Sequence, residues 1–329
     1  MRAPGFWSGG SGGIAPLLLS PIAAIYAAAT ARRVARPGWQ APVPVICCGN
    51  ATAGGAGKTT VALDLGQRLS NRGAATHFLT RGYGGRLKGP VLVDPMQHDS
   101  QAVGDEALLL AASRPTWVAG DREAGGRAAV AAGAQAIVMD DGLQNPGLEK
   151  DLSLLIVDGN YGFGNGHIIP AGPLREPIAA AAHRCRAAVL IGEDEAGAAA
   201  MLPPGLPVLR ARLVPGPEAK LLQGQPVFAF CGIANPQKFF NSLTQCGAVL
   251  AGRVPYADHY PFDAGDLRDL LEQAEALRAI PVTTRKDYVR IPPAFRSRVT
   301  VLSIRLQWED PTAIEALLDP LAQRIPVPA

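Results

Sequence analysis

The sequence predicts an α/β protein: a doubly wound parallel sheet, a second and smaller α/β domain, and an apolar helix at the N-terminus. Three observations carry this expectation. Apolar, β-branched runs alternate with helix-periodic stretches. A glycine-rich turn ending in Lys58 and Thr59 joins one such run to a helical pattern. The polar motifs of the first half follow directly on predicted strands, where ligands gather in an open parallel sheet.

The composition fits an ordered globular chain. Of 329 residues, 48% are hydrophobic and 18% charged, which supports two cores and excludes a disordered segment of high net charge. A net charge of +3 gives no ground for a nucleic-acid partner. The five cysteines show no Cys-x-x-Cys spacing and read as small buried hydrophobes in a reducing compartment.

The first element, within residues 1–36, places Phe6, Trp7 and a glycine-serine stretch ahead of an apolar run at 14–29, closed by Arg32, Arg33 and Arg36. Pro16, Ser20 and Pro21 interrupt the run, which is short and weak for a spanning helix. An interfacial helix is expected, apolar side in the membrane surface and arginines at anionic headgroups; a plain core helix is the alternative.

The strand at 43–48 leads into Gly49-Asn-Ala-Thr-Ala-Gly-Gly-Ala-Gly-Lys58-Thr59-Thr60 and a helix at 61–69. This order gathers backbone N–H groups and a helix N-terminus around one anion, a P-loop NTPase-like arrangement. Lys58 would reach the β- and γ-phosphates of ATP and the Thr59 hydroxyl would bind Mg²⁺. Thr52 stands where the usual loop begins with glycine, while Gly54, Gly55 and Gly57 keep the part that touches phosphate.

Further strands are expected at 76–80, 116–119, 136–140, 152–158 and 187–191, with helices at 105–112 and 122–132. The strand at 136–140 ends in Asp140 and Asp141, which would hold Mg²⁺ or its water shell, although Asp-Asp-Gly also makes ordinary turns. Asp105 and Glu106 open a helix: they complement its dipole, or Asp105 accepts the proton of an attacking hydroxyl. The glycine- and proline-punctuated segment 162–177 ends in Arg175 and Glu176, which would neutralise phosphate and complete the metal shell, or form an exposed ion pair.

Prolines and glycines at 201–224 read as a linker. Strands at 226–231, 249–254 and 280–284 and helices at 236–246 and 264–279 then form the smaller domain. His259 lies just past a strand: either a loop histidine, or one that domain closure carries to a carboxylate of the first domain. The strand at 299–306 and helix at 311–321 return to the first domain. The expected units are therefore 1–36, 37–215 joined by 299–329, and 216–298 closing over the site.

These blocks resemble the tetraacyldisaccharide 4′-kinases, which phosphorylate the lipid A precursor of Gram-negative bacteria. The matching segments are the phosphate loop (49–59), Arg-Gly-Tyr-Gly-Gly (81–85), Gly-Asp-Glu (104–106), Asp-Asp-Gly-Leu-Gln (140–144), Gly-Asn-Gly-x-x-x-Pro-Ala-Gly-Pro-Leu-Arg-Glu-Pro (164–177), Gly-Ile-Ala-Asn-Pro (232–236), Asp-His (258–259) and Thr-x-Lys-Asp (284–287). They run in the family's order, and the apolar N-terminus resembles its membrane-docking helix. The resemblance implies transfer of the ATP γ-phosphate to the 4′-hydroxyl of a tetraacyldisaccharide 1-phosphate. It implies Asp105 as base, His259 as its partner, and Lys58 and Arg175 on the phosphates. Nucleotide contacts would come from Thr52, Gly54, Gly55, Gly57, Lys58, Thr59, Thr60 and Gln144; Mg²⁺ contacts from Thr59, Asp140, Asp141 and Glu176. Arg122 falls at another functional position. The protein would act as a monomer on a lipid substrate, peripheral to the cytoplasmic face of the inner membrane.

Three positions depart from the family pattern: Asn145 where many members have histidine, and Thr60 and Ala107 where many have proline. Asn145 cannot titrate. The double-glycine loop also resembles dimeric ATPases that position membrane or protein partners, but Ala53 stands where those carry a second lysine.

Overall fold

The computed structural model describes residues 4–8 and 13–325; residues 9–12 of the glycine-serine stretch and the ends of the two terminal segments, 1–3 and 326–329, lie outside the described residues. The strands are β1 (Val45–Gly49), β2 (Thr76–Thr80), β3 (Val91–Leu92), β4 (Thr116–Val118), β5 (Ala136–Asp140), β6 (Leu152–Asp158), β7 (Ala187–Ile191), β8 (Val208–Pro215), β9 (Pro226–Cys231), β10 (Val249–Pro255), β11 (Ile280–Thr284), β12 (Thr300–Leu302) and β13 (Ile304–Trp308). Nine of them form one sheet in the order β13-β8-β7-β6-β1-β5-β2-β4-β3. All neighbours are parallel except the two edge pairs, β13 with β8 and β3 with β4.

β1 sits at the centre, Ile46 facing Leu152 of β6 and Val45 facing Ile137 of β5. Both faces are covered, so the strand is apolar throughout and its side chains divide between two cores: Ile46 and Cys48 into one, Val45 and Cys47 into the other. On the first face, helix α2 (Lys58–Asn71) buries Val61, Leu65 and Leu69, one helical stripe worth about 1.5–3 kcal/mol per side chain. The helix Pro311–Ala322 adds Ile314, Leu318 and Leu321 to that core. Trp308 Nε1 donates to Asp64 of α2 at 2.8 Å, and Arg72, the C-cap residue of α2, pairs with Asp319 at 2.6 Å. The opposite core holds Leu143, Leu148 and Ala181.

The second sheet is four parallel strands in the order β10-β9-β11-β12. The helix Pro236–Gln245 covers one face with Phe239, Phe240 and Leu243; the helix Ala264–Ala276 covers the other with Leu267, Leu270 and Leu271.

Two expectations are corrected here. The stretch read as a linker contains β8, in which Leu209 and Ala211 alternate inward onto the large core, so its prolines and glycines flank a strand. The single strand expected at 299–306 is two: β12 pairs in the small sheet and β13 in the large one, with Ser303 between them. The two crossings lie side by side. Gly216 N donates to Ser303 O at 2.8 Å, and Ser303 Oγ donates to the Glu218 carboxylate at 2.9 Å.

The N-terminal helix α1 (Ala15–Val34) buries only Pro16, Ala23 and Thr30 of its twenty residues. Leu17 is 74% exposed and Ile25 71%, unlike a core helix. The turn Gly5–Ser8 ahead of it is tied to the 162–177 segment, Trp7 Nε1 donating to Pro170 O at 3.1 Å and Asn165 Nδ2 to Phe6 O at 3.0 Å.

Candidate active site

The phosphate loop is shaped by a residue with no side-chain role assigned from sequence. Asn50, fully buried at the end of β1, donates from Nδ2 to Thr52 Oγ1 (3.1 Å) and Gly54 O (3.3 Å) and accepts from Lys58 Nζ at 3.0 Å. The 162–177 segment braces the loop from outside: Ala53 N donates to Pro173 O and Arg175 N to Ala51 O, both at 2.7 Å. Gly57 caps α2 with φ +81°, and a Cβ there would stand 2.7 Å from Ile191 Cδ1. Gly55 has open space where a Cβ would be, and Thr60 N donates to Gly57 O at 3.1 Å.

At the neighbouring strand end, Thr59 Oγ1 donates to Asp140 Oδ2 at 2.8 Å. Asp140 Oδ1 is buried and has no hydrogen-bond partner among the described residues. Burial pushes the Asp140 carboxyl up to about 6, against the opposing pull of Lys58 and the Thr59 bond. Asp141 adopts φ +58° and turns its Oδ1 to Arg175 Nη1 at 2.7 Å and Lys58 Nζ at 3.6 Å. Burial disfavours its charge too, but Lys58 and then Arg175 outweigh it and hold its pKa below the usual range. An unpartnered, buried carboxylate oxygen beside a threonine hydroxyl fits a hard divalent cation such as Mg²⁺.

Glu176 is buried and engaged from two sides, by Gln144 Nε2 at 2.9 Å and Arg184 Nη2 at 2.6 Å. Gln144 also donates to Asn50 O at 2.9 Å and accepts from Arg175 at 3.3 Å. Arg122 is buried with Nη1 on Ala119 O, and its Nε has no partner among the described residues.

The second cluster joins the two sheets. Asp105 opens the helix Asp105–Ala111 directly after Gly104, whose φ of +87° lets the backbone pass under Tyr83 O, 2.4 Å from where a Cβ would lie. Its Oδ2 meets His259 Nδ1 at 2.7 Å and Arg290 Nε at 3.2 Å. His259 sits on a left-handed turn, φ +60°, and its Nε2 lies 3.3 Å from Lys286 Nζ, which is 3.7 Å from Glu106 Oε1. Arg290 is fixed in turn by Asp287 (3.2 Å), Gly232 O and Tyr260 O. The charge of Glu106 is a lesser influence on the raised pKa of Asp140 than burial, Lys58, the Thr59 bond and Asp141.

The structure thus brings Lys58, Thr59, Asp140, Asp141, Gln144 and Arg175 together around the phosphate loop and places Asp105 against His259. Lys286 and Arg290 received no role from sequence; Lys286 falls in the quoted Thr-x-Lys-Asp block, while Arg290 lies outside any motif.

A phosphate loop with acids at the adjacent strand end, together with a carboxylate–imidazole pair assembled between two sheets, defines a P-loop phosphotransferase. The family model described as Tetraacyldisaccharide-1-P 4'-kinase (LpxK) matches residues 15–323, and the chain belongs to this family. It is 58% identical to the tetraacyldisaccharide 4'-kinase of Gluconacetobacter diazotrophicus, over 97% of this chain and 98% of that one. It is 55% identical to the protein of the same name from Rhodospirillum rubrum, over 98% of both chains. A crystal structure of LpxK from Aquifex aeolicus, described as the "apo" form in complex with ATP, shares the fold at a TM-score of 0.76 and 23% identity, covering 93% of this chain and 99% of that one. Family membership decides between a kinase and a partner-positioning ATPase in favour of the kinase.

Proposed function

We propose that this chain transfers the γ-phosphate of ATP to the 4′-hydroxyl of a tetraacyldisaccharide 1-phosphate in lipid A synthesis. The observation that carries the reading is the Asp105–His259 contact between the two sheets, made in the same chain as the phosphate loop and its strand-end acids. Lys58, now on Asn50 and Asp141, turns to the β- and γ-phosphates, and Arg175 neutralises charge on the transferring group. Asp105 accepts the proton of the 4′-hydroxyl, and His259 orients and stabilises the carboxylate. Thr59 and Asp140, together with Asp141 and Glu176, would hold Mg²⁺, which would supply charge neutralisation at the phosphate oxygens. Thr52, Gly54, Gly55, Gly57, Thr60 and Gln144 shape the nucleotide cradle.

Residues 37–215 with the return segment from β13 onward act as the nucleotide domain, and 216–298 together with β12 as the domain that closes over it and excludes water. Both halves of the site belong to one chain, which supports action as a monomer. The exposed apolar side of α1 docks on the cytoplasmic face of the inner membrane, Arg32 and Arg33 at the headgroups. The test is incubation with ATP, Mg²⁺ and purified disaccharide 1-phosphate followed by mass analysis of the lipid. A product heavier by one phosphate is expected; release of inorganic phosphate with unchanged lipid would overturn the assignment.

A further inference from the structure

A polar cavity of about 170 Å³ lies at the C-terminal end of α1, lined among others by Val34, Asn145, Lys150, Ser153 and Arg184. Its donors exceed its acceptors. Lys150 Nζ makes one hydrogen bond, to Asn145 O, and no carboxylate pairs with it among the described residues. Asn145 spends its Oδ1 on Gly147 N at 2.9 Å, which leaves its amide N–H groups for the cavity. Ser153 is buried at 6% exposure, and its hydroxyl makes no hydrogen bond among the described residues. Arg184 has one carboxylate partner, Glu176, at 2.6 Å. Burial, reinforced by the Arg184 and Arg122 charges and opposed by the Cys47 thiol, holds the Lys150 ammonium below its ordinary range. A half-buried cation facing a cavity without an anion gives up part of its hydration, and an oxyanion there would offset that loss.

We infer that this cavity is an oxyanion site for a phosphate group, separate from the phosphate loop, with Lys150 and Arg184 as its cations and Asn145 and Ser153 as its neutral donors. The phosphate comes from one of two sources: free in solution, or the headgroup of an anionic lipid beneath α1. The site requires no phosphotransfer and stands apart from the kinase assignment. Through Arg184 an occupant would be felt at Glu176 and Gln144, which adjoin Arg175.

The test uses the full chain with Mg²⁺ and a saturating non-hydrolysable ATP analogue, so that the loop is already filled. Inorganic phosphate should raise the thermal midpoint of the wild type by a few degrees and leave that of Lys150→Met unmoved; this outcome identifies free phosphate. If phosphate has no effect, vesicles of phosphatidylcholine with phosphatidic acid should retain the wild type several-fold better than Lys150→Met, while pure phosphatidylcholine retains both equally; this outcome identifies the headgroup. Asn145→Asp supplies a carboxylate in place and should abolish either response without lowering the ligand-free midpoint. Equal responses of the wild type and both variants to phosphate and to phosphatidic acid would overturn the proposal, leaving the cavity to water.

Discussion

His259 Nδ1 lies 2.7 Å from Asp105 Oδ2, although 154 residues separate them and their elements pack in different cores. Closely coupled residues lose activity non-additively. Asp105→Ala should cut turnover by about 10²–10⁴-fold, the range of a lost general base, and His259→Ala by a smaller but large factor. The double variant should lose much less than the product of the two. Fully multiplicative losses in steady-state kinetics would show two independent residues.

Lys58 is anchored by Asn50, Gly54 O and Asp141 in a chain that ends on Arg175. Lys58→Ala should lose about 10²–10³-fold in turnover, because charge stabilisation is the main catalytic term in phosphoryl transfer. Near-wild-type turnover would remove this loop as the ATP site.

Asp140, raised by burial to about 6 from 3.8, gives a pH dependence of stability in the metal-free protein. A folded-state pKa above the unfolded one means that the native state binds the extra proton. The group's contribution is fully present below about pH 4 and is lost as pH rises through 6, a change of about 3 kcal/mol. Metal-free Asp140→Asn should therefore gain on the wild type in thermal midpoint as pH rises from 4 to 7, whereas Mg²⁺ should stabilise the wild type more than the variant. Parallel pH curves would show that Asp140 titrates normally.

The exposed side of α1 yields a test that leaves the cores alone. Leu17→Ser, Leu18→Ser and Ile25→Ser together should shift the protein from membrane to soluble fraction with little change in thermal midpoint, since these side chains are largely in solvent. Deletion of residues 1–30 should do the same and weaken use of embedded lipid more than ATP hydrolysis. Loss of helical circular dichroism well beyond the removed segment would mark α1 as part of the fold.

The central strand, the phosphate loop and α2 were legible in the sequence because each has a local signature: an apolar run, special glycines, and a stripe at helical spacing. The strand-end acids followed from their position after an apolar run. The pairing of Asp105 with His259 was legible only through the family blocks, since nothing periodic connects residues so far apart. Asn50, Lys286 and Arg290 went unassigned because their roles are single side-chain contacts made by loops and short turns. β8 was hidden by flanking prolines, and the divided strand at 299–306 by an unbroken β-like composition across Ser303.

The split at Ser303 fixes the order in which a ribosome-bound chain can finish its architecture. β13 and the helix Pro311–Ala322 are made after the smaller lobe, yet they seal the side of the large sheet on which α2 lies. The nascent nucleotide half therefore emerges with an open apolar flank and an uncapped strand edge at β8 while the whole smaller lobe is synthesised. Only when Trp308 reaches Asp64 and the final helix settles over Leu65 and Leu69 is the scaffold under Lys58 complete. A premature stop between Ser303 and the helix Pro311–Ala322 would thus spare the catalytic side chains and still leave the protein prone to aggregation.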